Sequence, residues 1–302
     1  MSRTKVRELL GEGARTLQTD TGVSPSFPAV SEERAGVRPS GDDARREAEL
    51  LLQHALGVGR AWLYAHNDDA VEGEGATRFR ALITRRASGE PLAYLTGRRE
   101  FFSLDLVVTP DVLIPRAETE LLVELALKKI PQSEKVDIAD LGTGSGAIAL
   151  ALAHERPHAH VYASDASATA LAVALGNARR LGIDNVLFAQ GDWCAALGDK
   201  KFDVIVSNPP YIAAADAHLA QGDLRFEPRV ALASGADGLD AIRTIAAAAP
   251  THLKPGGWLM LEHGFDQGPA VSDLLGRSGF VEISTSRDLE QRERVTVATR
   301  GG

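Results

Sequence analysis

"VDIADLGTGSGAIALALA", residues 136–153, decides the fold. Its opening is a short apolar run that reads as a buried strand, and its close is an Ala/Leu-rich run that reads as a helix. Between them Gly142, Thr143, Gly144, Ser145 and Gly146 form a turn of small residues. Small residues let backbone approach a ligand, and the helix that follows offers unbonded N–H groups at its N-terminus.

The same alternation continues outward. "HVYASDA" (160–166) is followed by the helical "ATALAVALGNARRLG" (168–182), then by "VLFAQGD" (186–192) and "FDVIVSN" (202–208). A helix through "GLDAIRTIAAAAPTHL" (238–253) precedes "GGWLMLEHG" (256–264). Strand and helix in turn predict an α/β fold with a mostly parallel, doubly wound sheet. The ending "VEISTSRDLEQRERVTVATR" (281–300) reads as two strands with no helix between, an antiparallel pair at one edge.

Upstream the period changes. In "RREAELLLQHALG" (45–57), Ala48, Leu51, Leu52 and Ala55 share one helix face, and Gly57 is a stop. "GATRFRALITRRASGEPLAYLTG" (75–97) predicts another helix with Phe79, Leu82 and Ile83 inward. Residues 19–42, rich in Ser, Pro and Gly, read as a flexible insertion. In "REFFSLDLVVTPDVLIPR" (99–116), Phe102, Leu104, Leu106 and Val108 alternate as in a short hairpin. The expected organisation is a helical domain over 1–97, a hairpin connector over 98–116 and an α/β domain over 117–302.

Composition narrows the class. Of 302 residues, 44% are hydrophobic and 25% charged, which are globular values. The net charge is -8, yet the first hundred residues hold 15 basic and 15 acidic side chains, so the acidic excess lies beyond them. An acidic α/β part argues against tight duplex binding, which needs phosphate neutralisation. One cysteine, Cys194, allows no intrachain disulfide and no cysteine-built zinc site, and it reads as an inert thiol. The start carries no signal-like apolar run and no eighteen apolar residues occur together, so a cytoplasmic protein without a membrane span is expected.

Three strand ends carry the candidate chemistry. Asp165 ends the second strand of the series, 23 residues after Gly142, a place suited to a ribose diol. The glycine turn and this acid alone leave a nicotinamide cofactor open. Asp192 and Trp193 follow the third strand and suit an adenine, by an accepted hydrogen bond and by stacking. Asn208, Pro209, Pro210 and Tyr211 follow the fourth. Two prolines preset the backbone there, so the Asn208 Oδ1, a Pro209 carbonyl and the Tyr211 ring form a rigid clamp for a planar –NH2 group. An amide nitrogen is a poor nucleophile because its lone pair is delocalised. Acceptors on its N–H groups favour the geometry that frees the pair, and alignment with a sulfonium methyl supplies most of the acceleration.

Together "NPPYI", "DLGTGSGAIALALA", "VLIPRAETE", "FEPRVALASGADGLDAIR" and "LEHGFDQG" resemble the release-factor glutamine methyltransferases, the HemK/PrmC family. "EAELLLQHALGV" and "RRASGEPLAYLTGRREFFSLDL" belong to the same pattern, so the resemblance runs from about residue 44 to the end. It implies a Rossmann-like class I methyltransferase sheet with a small helical domain that docks the substrate. It further implies S-adenosyl-L-methionine as cofactor and, as substrate, the side-chain amide (N5) of the glutamine in the Gly-Gly-Gln loop of peptide-chain release factors. By matching motif, Gly142, Thr143, Gly144, Ser145 and Gly146 border the methionine part of the cofactor. Asp165 takes the ribose hydroxyls, Trp193 lies near the adenine, and Asn208, Pro209, Pro210 and Tyr211 hold the amide beside the cofactor. Where the family commonly shows "IPRPDTE" this chain has Ala117 and Glu118, a departure with little expected effect.

The rival readings are methylation of an exocyclic amino group in nucleic acid, methylation of a ribosomal-protein glutamine, and a binding module without catalysis. No metal, membrane or direct nucleic-acid partner is expected. Arg116 reads as a surface salt bridge, His263 beside Glu262 as a structural histidine rather than a base, and Phe101 and Phe102 as connector packing.

Overall fold

The structure, a computed structural model, describes residues 4–19 and 40–301. It divides into two compact units, one running up to Gly97 and including Ala220–Phe226, the other comprising Arg98–Leu219 and the chain from Glu227.

The first unit is helical. A two-residue ribbon, β1 (Thr4–Lys5) with β2 (Ala70–Val71), accompanies α1 (Val6–Thr19), α2 (Gly41–Leu56), α3 (Arg60–Ala65), α4 (Gly73–Ala87) and α5 (Leu92–Thr96). The insertion expected at 19–42 lies, over 20–39, outside the described residues; Thr19 closes α1, and Gly41 and Asp42 open α2. Ser40 caps α2 by accepting from Asp43 N, and Gly57, at φ 68°, ends it in the left-handed conformation that glycine adopts without a Cβ penalty. Ala48, Leu51, Leu52, Ala55, Phe79 and Ile83 are buried as their spacing predicts, while Leu82 packs at the margin. Each buried Leu or Phe contributes ~1.5–3 kcal/mol. Gly13 lets α1 approach α4 closely, since a Cβ there would stand 2.7 Å from Phe79 Cζ. One ion pair is sealed in this core: Arg86 reaches both oxygens of Glu47, at 2.8 and 3.1 Å, with neither side chain exposed. Arg86 also donates to Glu90 O at 3.1 Å and meets Asp223, which ties Ala220–Phe226 to this unit.

The second unit opens with a hairpin, β3 (Arg98–Phe101) and β4 (Leu104–Val107). Here the expected register is corrected. Phe102 and Ser103 form the turn with φ of 49° and 62°, so Phe101 takes the fully buried position and Phe102 only packs at its edge. The alternation of Leu104, Leu106 and Val108 holds, but it starts after the turn and not before it.

Beyond α6 (Glu120–Lys129) come β5 (Asp137–Leu141), α7 (Ala147–Glu155), β6 (His160–Asp165), α8 (Ala168–Leu181), β7 (Val186–Gln190) and β8 (Phe202–Ser207). Then follow α9 (Asp240–His252), β9 (Leu253–Glu262), α10 (Gly268–Arg277), β10 (Phe280–Arg287) and β11 (Glu293–Arg300). The strands form one sheet in the order β10-β11-β9-β8-β5-β6-β7. β5 to β9 run parallel, and β11 lies antiparallel to both β9 and β10. Helices cover both faces, so the central strand β5 is buried on both sides: Ile138 packs into one core, and Ala139 and Leu141 into the other. The chain steps outward from β5 to β7 and then returns to the far side of β5 as β8. That reversal opens a crevice beyond the carboxyl ends of β5 and β8, where ligands bind in open α/β sheets.

Candidate active site

The glycine turn sits at that crevice. Gly142, Gly144 and Gly146 have φ of 74°, 55° and 86°, in the region that L side chains rarely adopt. A Cβ at Gly142 would lie 3.1 Å from the Trp193 ring, whereas one at Gly144 would meet nothing within 4 Å, so the middle of the turn borders open space. Gly142 N and Thr143 N both donate to Ser164 O at 2.8 Å, which locks the turn to the end of β6. Asp165 completes the lock, its Oδ2 accepting from Gly144 N and its Oδ1 from Ser167 N, each at 2.9 Å. The structure therefore brings together the glycine turn, Asp165 and Trp193. Trp193 has φ 42°, an unusual value for a bulky residue, and opens a short 3-10 turn beside Asp192, which is exposed. Residues held off the usual backbone minima cost about 1–3 kcal/mol and cluster at functional sites.

Two buried side chains that the sequence reading passed over support this turn. Asp140 accepts from Thr143 Oγ1 at 2.7 Å and from Ala149 N at 3.2 Å through one oxygen, and its Oδ1 has no partner. Burial outweighs those bonds and pushes its carboxyl up to about 7. Asn177 of α8 accepts from Val107 N at 2.7 Å and donates to Val107 O at 2.9 Å and Ser145 O at 3.0 Å. One side chain thus joins the hairpin to the glycine turn. A carboxylate one residue before the strand end, with Thr three further on, was a readable signal for Asp140. Asn177, in the middle of a helix, carried none.

The second cluster is the proline corner. Asn208 Nδ2 donates to Thr119 Oγ1 at 3.1 Å, leaving Oδ1 as the acceptor end. Thr119 belongs to the Ala117–Thr119 turn, so "IPRAETE" meets "NPPY" through one hydroxyl. The Tyr211 hydroxyl donates to Glu262 Oε1 at 3.3 Å, and burial with the neighbouring Glu262 charge raises its pKa. Tyr211 O accepts from Gln267 Nε2 at 3.0 Å, while Gln267 Oε1 accepts from Gly264 N at 2.8 Å. A Cβ at Gly238 would stand 2.2 Å from Tyr211 O, so only glycine admits this packing. Ile212 then pairs with Leu232 and Ser234, which fixes the exit of the corner. Each of these partners lies far along the chain, so no local spacing announced it.

Glu262 is buried, and its Oε2 has no hydrogen-bond partner. Burial pushes its carboxyl up to about 7; the Thr119 hydroxyl and Arg294 act the other way, and Glu118 adds to the rise. His263 is also buried. Its Nδ1 must donate to Gly264 O at 2.8 Å, so Nε2 accepts from Thr296 Oγ1 at 2.8 Å, and Thr296 in turn accepts from Thr285 at 2.9 Å. Burial holds the imidazole below its ordinary pKa, and the saturated ring has no site left to act as a base. Arg116 pairs with Glu227, whose other oxygen accepts from Ile114 N at 3.0 Å; because Glu227 is buried, this is not the surface bridge expected. Cys194 is buried and its thiol is pushed up to about 11, which leaves it unreactive. An open hollow lined by Asp199, Lys201, Thr251 and His252 lies where β8 and β9 begin, at the other edge of the sheet.

A family model for the PrmC N-terminal domain matches residues 38–97, and one for the methyltransferase small domain matches residues 117–224. A release factor glutamine methyltransferase of Xylella fastidiosa is 57% identical over 253 residues, 84% of this chain and 92% of its own. One of Pseudomonas aeruginosa is 50% identical over 259 residues, 86% and 94% of the two chains. Among solved structures, a methyltransferase from Pyrococcus furiosus aligns with a TM-score of 0.51 at 18% identity, over 67% of this chain and 91% of its own. At that identity the likeness speaks for the fold alone, that of a class I methyltransferase. The extent and identity of the curated relatives show that this chain, a methyltransferase, belongs to the release factor glutamine methyltransferase family.

Proposed function

We propose that the protein transfers a methyl group from S-adenosyl-L-methionine to the side-chain amide nitrogen (N5) of the glutamine in the Gly-Gly-Gln loop of peptide-chain release factors. The observation that supports the reading is the tether of Asn208 Nδ2 to Thr119, which leaves Oδ1 as the acceptor end of a side chain at the carboxyl end of β8.

The residues at the glycine turn fit such a cofactor. The side-chain-free space above Gly144 and the N–H groups opening α7 suit its amino-acid part. The oxygens of Asp165 keep lone pairs beyond their two backbone bonds, enough for a ribose diol. Exposed Asp192 and the Trp193 plane suit an adenine amino group and ring. When bound, the cofactor supplies an electrophilic methyl on sulfur. The chain's part is to hold the amide. Asn208 Oδ1 and the Pro209 carbonyl accept its two N–H groups, Tyr211 walls one side, and the acceptors grow stronger as positive charge develops on nitrogen. No strong base is needed, because the amide proton becomes acidic only as the nitrogen gains charge. His263, saturated by its own hydrogen bonds, agrees with that.

The helical unit is assigned to docking the release factor. No helix among the described residues is long and apolar enough to cross a membrane, and a cytoplasmic place suits a substrate of the translation machinery. The test is methyl transfer by Asn208→Ala. Transfer to the release factor should be lost while cofactor affinity stays within several-fold, and retained transfer would remove the acceptor role.

A further inference from the structure

We propose that Glu262 is a positioning residue for transfer, one buried carboxyl that sets both ends of the Asn208–Tyr211 corner. The proposal rests on the amide-methylation reading above.

The geometry follows from the sheet. β9 lies parallel beside β8 with Leu261 opposite Ser207, so Glu262 arrives level with Asn208. Its Oε1 takes the Tyr211 hydroxyl. Thr119 accepts from Asn208 Nδ2, so its own proton is left to give, and that hydroxyl bears on the Glu262 carboxyl. Tyr211 and Asn208 are thereby referred to the same group from opposite ends of two rigid prolines. The remaining oxygen, Oε2, is buried and unpartnered. A buried polar atom with no partner destabilises a fold, so the carboxyl is a poor choice as a mere filler of the sheet. The groups facing the carboxyl from the packed elements are Tyr211, Thr119, Glu118 and, from β11, Arg294.

The experiment uses the whole enzyme, a release factor and labelled S-adenosyl-L-methionine, with wild type, Glu262→Leu, Glu262→Gln, Tyr211→Phe and the Leu/Phe double variant run together. Glu262→Leu is expected to lower kcat by ~10²-fold, the scale of a 1 Å misplacement, with KM and cofactor affinity within about threefold. Glu262→Gln, which keeps an acceptor for the tyrosine, should recover much of that loss. In the Tyr211→Phe background the cost of Glu262→Leu should shrink, because the two act as one unit. A Leu variant with wild-type kcat, or losses that multiply independently, would overturn the positioning role. Should Glu262→Leu fail to fold, the Gln variant decides: a wild-type limb in kcat expected near pH 7 that flattens in Glu262→Gln supports the role, and a profile that is the same in both contradicts it. Wild type that labels no glutamine at all would instead overturn the amide reading itself, and the positioning role with it.

Discussion

Asn177→Ala is the substitution whose consequence the structure defines best. Asn177 is fully buried, and removing its amide strands three backbone groups: Val107 N, Val107 O and Ser145 O. Each buried polar group left unmet costs about 1–3 kcal/mol. Val107 is half-buried and can be rehydrated in part, so the three groups are counted at the low end of that range, about 1 kcal/mol each. A total of roughly 3 kcal/mol results, a substantial share of the ~5–15 kcal/mol that holds a domain together. For a unit of this size that corresponds to a fall in Tm of about 6–12 °C, read by calorimetry or circular dichroism. The loss has a second component, since Ser145 sits between Gly144 and Gly146 in the turn assigned to the cofactor. Affinity for S-adenosyl-L-methionine, measured by titration calorimetry below the melting range, should drop by about tenfold or more, on the order of 1.4 kcal/mol. Asn177→Asp separates the parts, because it keeps the acceptor for Val107 N but sets a carboxylate against two carbonyls. It should be no better than Ala. A melting temperature within 2 °C of wild type together with unchanged cofactor affinity would show that Asn177 neither braces the turn nor bridges it to the hairpin.

Three further outcomes are expected. Asp165→Ala should weaken cofactor binding, both by removing the proposed diol acceptor and by freeing Gly144 N; unchanged affinity in a binding titration would refute that assignment. Arg86→Leu removes the guanidinium that reaches both oxygens of the buried Glu47 side chain, a loss of ~3–5 kcal/mol in chemical denaturation, and pairing it with Glu47→Leu should return much of that. If the single and double variants unfold alike, the ion pair is not what the helical unit depends on. Asp140 and Glu262, each raised to about 7 from ordinary values of 3.8 and 4.5, hold protons that the unfolded chain has released. Their contribution is therefore fully present below about pH 4 and lost as pH rises through about 7, so Tm should fall across that window, less steeply in Glu262→Gln. A Tm that climbs over the same range would contradict the burial of these two acids in neutral form.

The α/β plan was legible because strand and helix leave different periodicities. "VDIADL" before three glycines and an Ala/Leu run admits few other folds, and Asp165, Trp193 and Asn208 all lie at or just past strand ends, which a parallel sheet gathers at one edge. What could not be read was sheet order. β8 sits against β5 and not beside β7, and that placement brings Ser207 to Leu141 and Glu262 to Tyr211. Thr119, Asn177 and Gln267 reach partners 89, 70 and 56 residues away, distances over which no periodicity carries information. Phe102 shows the opposite failure. A run of apolar residues alternates equally well in either register, and only the turn at Phe102 and Ser103 decides which phenylalanine is buried.

The amide reading stands or falls on where the methyl group ends up. Wild-type enzyme, labelled S-adenosyl-L-methionine and an intact release factor should give product that, after digestion and fragmentation, carries one methyl on the side-chain nitrogen of the glutamine in Gly-Gly-Gln and nowhere else. Label absent from that glutamine, but found on an exocyclic amino group when an oligonucleotide is offered instead, would mean that the corner at Asn208 holds a base and not an amide.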